Sequence, residues 1–186
     1  ITSDAAAGQQ QIPNFNFYKN RNSNGNGNNN KMLVSLDTPL LYMGSGETNF
    51  DKTFMLCINL TTIHEGLLTK NPQVTNFSNC FYSCTNLTEV PEKLFEKNLE
   101  VINFTNCFFQ CTKLKEIPPM LFANNKMVEK FYACFLECTA LTTIPDGFFA
   151  QNAEATNFKK CFDGCTSLVL TPNIFIEGNI TKGSRF

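Results

Sequence analysis

The sequence predicts an α/β solenoid of about six 27-residue coils, with short strands joined by short helical or 3-10 corners, and three observations predict it. The first is exact-length self-similarity. NCFYSCTNLTEVPEKLFEKNLEVINFT (79–105) is followed without insertion by NCFFQCTKLKEIPPMLFANNKMVEKFY (106–132) and ACFLECTALTTIPDGFFAQNAEATNFK (133–159). A fixed period in this range marks a stack of units, each too small to bury its own apolar face. The second is that the frame runs on in both directions and decays at the ends. The third is a weaker symmetry inside each unit, which divides it into two related half-turns.

Upstream, 52–78 keeps Phe54, Cys57, Leu60, Ile63, Leu67, Leu68, Asn71, Val74 and Phe77 in register, with Thr53 where later copies have their first Cys and His64 where they have Pro. One step further back, Leu33, Leu36, Leu40, Leu41 and Phe50 fall on the same columns. Downstream, 160–186 keeps Cys161, Phe162, Cys165, Leu168, Pro172 and Phe175, then places Lys182 in the Val column and Arg185 in the Phe column. Degenerate ends are expected where a stack stops and meets water.

Composition sets the remaining bounds. At 186 residues and 42% hydrophobic content the chain holds material for one substantial core, and the simplest partition is an arm and linker over 1–31 and the solenoid over 32–186. A net charge of −1 leaves no electrostatic footprint for nucleic acid. No apolar run approaches the ~18 residues of a transmembrane helix, so no membrane insertion is expected. The chain opens on Ile1 without a signal-peptide or lipidation pattern, which reads as a trimmed segment and leaves the compartment open.

Taken in order, 1–18 holds one apolar cluster, Ile12, Pro13, Phe15, Phe17 and Tyr18, and 19–31, KNRNSNGNGNNNK, reads as an Asn/Gly linker. Two roles stand open for the cluster: a cap on the first coil, or a tether that is ordered only on a partner. Within each unit, Leu87, Val90, Leu94, Phe95 and Asn98 are echoed by Val101, Phe104, Cys107, Phe108 and Cys111. In each half an extended piece (LTEV, VINF) leads into a corner ending Leu-Phe-x-x-Asn or Cys-Phe-x-x-Cys. Spacings of three and four in those corners suit one inward-facing turn of α- or 3-10-helix. Pro91, Pro118, Pro145 and Pro172 close the first extended piece, since proline has no N–H for strand pairing.

The spacing LxxIPxxLFxxNxxVxxFxxCFxxC resembles the leucine-rich repeats of the bacterial surface-antigen (BspA-like) type, over about 33–175. This array departs from the family in a longer unit that is richer in phenylalanine. The resemblance implies a leucine-rich-repeat-like solenoid, a module of cell-surface or secreted proteins that bind other macromolecules, and implies no reaction and no cofactor. It also implies that Asn and Cys are interchangeable at the corner column, where a small buried polar group bonds the adjacent coil's backbone.

Nine cysteines fall in two columns: Cys80, Cys107, Cys134 and Cys161, and Cys57, Cys84, Cys111, Cys138 and Cys165. The second column is the half-turn equivalent of Asn71, Asn98, Asn125, Asn152 and Asn179. Reduced, inward-facing structural thiols are the simplest reading. Inter-coil disulfides in an oxidising compartment are a second, which an odd count leaves one thiol short of completing. Zinc is disfavoured, because CxxxC is not the CxxC knuckle and no histidine accompanies it.

Nothing in the sequence assembles a catalytic set. His64, the one histidine, stands in a corner's proline column and reads as a solvated substitution. Glu89, Glu92, Lys93, Glu96, Lys97, Lys113, Lys115 and Glu116 fall between apolar columns, the pattern of a solvated face. Sequons at Asn59, Asn76, Asn86, Asn103 and Asn179 recur because the repeat recurs, and matter only in a eukaryotic secretory host.

One column is apolar without being needed for the core. Met55, Tyr82, Phe109 and Leu136 each follow the inward Phe of the second corner, and Asp163 ends the run. They form a candidate strip for a protein or glycan partner, unless they pack half-buried against the neighbouring corner. The favoured expectation is a non-catalytic binding or adhesion module, displayed at a bacterial surface or secreted. The alternative is a structural subunit or decoration protein of a virion, tail or surface filament, with the arm on a neighbour.

Overall fold

The computed structural model describes residues 33–169; the expected arm and linker, and the last part of the sixth copy, lie outside the described residues. Strand β1 (Ser35–Leu36) pairs in parallel with β2 (Thr62–Ile63), setting Ser35 opposite Thr62 and Leu36 opposite Ile63. Single parallel bridges then join Asn49 to Asn76, Asn76 to Asn103, Asn103 to Lys130, and Lys130 to Asn157. Every one of these steps is 27 residues, so each copy of the unit is laid directly on the copy before it.

Among the described residues the formal strands are confined to the first two copies, and the proline column explains why. His64 stands in that column, and its N–H donates to Leu36 O at 2.6 Å. Pro91, Pro118 and Pro145 have no N–H to give. Pairing on that side of later copies is reduced to isolated bonds, such as Thr142 N–H to Lys115 O and Val169 N–H to Thr142 O, both 3.1 Å.

The corners correct one expectation: among the described residues there is no α- or 3-10-helix. Through 77–84 the backbone donors alternate instead. Phe77, Asn79, Phe81 and Ser83 donate to the carbonyls of Asn103, Thr105, Cys107 and Phe109, each 26 residues on and one winding further along the stack, at 2.7–2.9 Å. Between them Cys80, Tyr82 and Cys84 close turns onto Phe77, Asn79 and Phe81, at 3.1–3.2 Å. A helix keeps its N–H groups for its own turns, whereas here every second one is exported and ties one copy to the next.

That geometry requires left-handed backbone at two columns. Lys52, Asn79, Asn106, Ala133 and Lys160 have φ of 52–61°, and Leu56, Ser83, Gln110 and Glu137 have φ of 55–61°. These are the positions of type II turns where positive φ is obligatory, at roughly 1–2 kcal/mol for a residue with a Cβ. Gly164 continues the second column at φ 71°, and a Cβ there would stand 3.0 Å from Glu137 Cγ. Gly164→Ala is therefore expected to destabilise the protein by ~1–2 kcal/mol in urea unfolding; an unchanged midpoint would contradict the turn.

The core is built from phenylalanine columns. Phe54, Phe81, Phe108, Phe135 and Phe162 follow one another at 5.2–5.4 Å with interplanar angles of 1–15°. Phe77, Phe104, Phe131 and Phe158 form a second column at 5.5–5.8 Å, and Phe95, Phe122 and Phe149 a third at 5.8–6.4 Å. Tilted contacts such as Phe95 to Phe104, 4.7 Å at 64°, lock the columns together. Burial supplies ~1.5–3 kcal/mol per ring, and offset or edge contacts between rings add ~0.5–1.5 kcal/mol per pair.

Candidate functional site

Because the second corner exports alternate N–H groups, the residues between its inward Phe and Cys are held sideways along the stack. Met55, Tyr82, Phe109 and Leu136 come together there as a column, and all four are half-buried. Tyr82 and Phe109 stack ring on ring at 4.5 Å and 10°. Each ring therefore covers one face of the other.

Two side-chain relays accompany this strip, and neither is legible from the 27-residue period alone. In the column one residue on, Ser83 Oγ donates to Gln110 Oε1 at 2.9 Å and Gln110 Nε2 to Glu137 Oε2 at 2.6 Å. In the column three residues before, Asn106 Nδ2 donates to Asn79 Oδ1 at 3.1 Å, and Asn79 Nδ2 to Asp51 Oδ1 at 2.9 Å. Each relay ends on a carboxylate, one toward the fifth copy and one toward the first. The repeated Asn79 and Asn106 were the available signal. The step through Ser, Gln and Glu was not, since those residue types change from copy to copy.

The thiol columns lie inside. All nine cysteines are free and buried. Cys84, Cys111, Cys138 and Cys165 donate Sγ–H to the carbonyls of Phe54, Phe81, Phe108 and Phe135, thirty residues back, at 3.1–3.3 Å. Asn125 and Asn152 do the same in the other corner, with Nδ2 to Phe95 O and Phe122 O, both 3.1 Å and thirty residues back. A second Nδ2 bond goes from Asn98, Asn125 and Asn152 to Asn71 O, Asn98 O and Asn125 O, at 2.7–2.9 Å. Thiol and amide thus perform one task, at the same offset, and reach the preceding copy.

Parallel stacking holds equivalent Cβ atoms near the ~4.8 Å strand spacing, beyond the ~3.8 Å a disulfide prefers. Burial pushes the Cys57 and Cys111 thiols up to about 12 and Cys165 up to about 11, and raises the other six well above the ordinary thiol value. The neutral thiol is a poor nucleophile. At pH 8 a maleimide is expected to leave Cys80, Cys84, Cys107, Cys111 and Cys134 unmodified in the native protein and to label them within minutes in guanidinium, as intact-mass measurement reads. Rapid native labelling of those five would contradict their burial.

His64 is exposed, and its Nδ1 accepts the Gly66 N–H at 2.9 Å, closing a turn. Among the described residues no group of three or more His, Cys, Asp or Glu side chains is arranged to hold a metal ion. The charged residues between the columns lie at the surface, with ion pairs of Lys93 to Glu65 at 3.6 Å and Lys97 to Glu96 at 3.1 Å. No protein-family model matches the chain, and no curated protein matches it.

Proposed function

We propose that the chain is a leucine-rich-repeat-like solenoid that works as a non-catalytic binding or adhesion module, at a bacterial surface or secreted, with a protein partner on the Met55–Tyr82–Phe109–Leu136 strip. The observation that carries this reading is the Tyr82–Phe109 stack, two aromatic side chains kept half in solvent on a column the core does not use. Protein is favoured over glycan because the stack covers one face of each ring and so leaves less open ring face for a sugar, while Met55 and Leu136 extend the strip with aliphatic side chains suited to an apolar protein contact. The surface or secreted location is the one the family resemblance implies.

The test is capture from an extract of the native cell surface on immobilised wild type and on a Tyr82→Ser, Phe109→Ser double variant of matched circular dichroism. A partner held by the wild type and lost on the variant supports the reading. Equal retention on both, or no retained partner, overturns it.

A further inference from the structure

A surface pocket of 260 Å³ lies in the corner that carries proline. It opens between the third and fourth copies, with Glu92, Lys93 and Glu96 on one side and Met120, Leu121 and Ala123 on the other. One column drops in size at that step, Glu96 being succeeded by Ala123, while in another Met120 follows Lys93 and precedes Gly147. Met120 is 58% exposed, an apolar side chain that serves no core.

The charges around the pocket are unequally committed. Lys93 Nζ is turned onto Glu65 at 3.6 Å, and Lys97 Nζ onto Glu96 at 3.1 Å. Glu92 makes no hydrogen bond or ion pair among the described residues, so the lining sets two carboxylates, Glu92 and Glu96, against the one ammonium group of Lys93. An apolar floor beside one uncommitted carboxylate matches a group with an aliphatic stem and a cationic head. We propose that this pocket receives an arginine or lysine side chain of a partner polypeptide, its methylenes on Met120, Leu121 and Ala123 and its head on Glu92. This is a second recognition point, in the other corner from the aromatic strip and independent of it.

The experiment uses the full chain labelled with ¹³C at its methionine methyls, titrated with N-acetyl-arginine amide and with the neutral isostere N-acetyl-citrulline amide. The Met120 methyl signal is expected to move saturably with the arginine compound and not with citrulline, while Met55 stays still. Glu92→Gln, an exposed change, is expected to weaken the response by roughly threefold to fivefold, and Tyr82→Ser to leave it intact. An unmoved Met120, an equal response to citrulline, an undiminished response in Glu92→Gln, or a response abolished by Tyr82→Ser would each overturn the proposal.

Discussion

Raising the pH above about 9 in the presence of a reductant is expected to unfold this protein over a narrow range. Burial raises every one of its thiols, Cys57 and Cys111 to about 12, whereas in the unfolded chain a thiol titrates near ~8.5. Below that value both states hold their thiol protons and the contribution to stability is flat. Above it the unfolded chain releases protons that the folded one keeps, so the unfolded state binds fewer and stability falls as pH rises. Each deeply buried thiol withdraws roughly 1.4 kcal/mol per pH unit in that window. By about pH 9.5 eight of them, Cys165 set aside, withdraw on the order of 10 kcal/mol, comparable to the ~5–15 kcal/mol that holds a typical domain together. Urea midpoints at pH 7, 8.5 and 9.5 check this. A midpoint unchanged from 8.5 to 9.5 would mean that the thiols are bridged or already solvated.

Asn125→Asp is expected to remove ~3–5 kcal/mol at pH 7, the loss for a buried charge without a partner. Asn125 is fully buried, and its two Nδ2 bonds end on Phe95 O at 3.1 Å and Asn98 O at 2.8 Å. A carboxylate has no hydrogen to offer either carbonyl and would point an anion at both. Its pKa in the folded protein therefore lies above the unfolded value of ~3.9. The variant is most stable below about pH 4, loses stability as pH rises through the folded value, and levels off beyond it. Asn125→Cys provides the contrast. A thiol at the equivalent position of the other half-turn serves the carbonyl thirty residues back, as Cys111 serves Phe81 at 3.3 Å. The Asn125 Oδ1 has no hydrogen-bond partner to lose, and the one carbonyl that a single S–H leaves unserved sets the loss at ~1–2 kcal/mol. Denaturant unfolding of the two variants side by side measures the difference. Equal losses would contradict the shared role of amide and thiol.

Which side chains turn inward was legible in the sequence, because a 27-residue period puts Phe81, Phe108 and Phe135 on one column and burial follows the column. The kinship of Asn125 and Cys111 was legible too, from half-turn spacing. The corner backbone was not. Apolar residues three and four apart are equally served by one helical turn and by linked β-turns, and what separates the two is where the N–H groups of Phe77, Asn79, Phe81 and Ser83 go. Glycine would have signalled left-handed backbone, but Lys52, Leu56, Ala133 and Glu137 occupy those positions. At the candidate site the strip was visible as a column. Its ring-on-ring stack, its relays and the Met120 pocket arise from residues that differ between copies, on which a period is silent.

Each unit lies on the one before it, with alternate backbone donors passing between them. Amide-resolved NOE spectroscopy on isotope-labelled protein reads that arrangement in solution. The predicted result is an unbroken series of contacts between residues 26 and 27 apart, linking Phe77 with Asn103, Phe81 with Cys107, Phe108 with Cys134 and Phe131 with Asn157. Sequential amide–amide contacts typical of helix through 77–84 and 104–111, with that series missing, would contradict it.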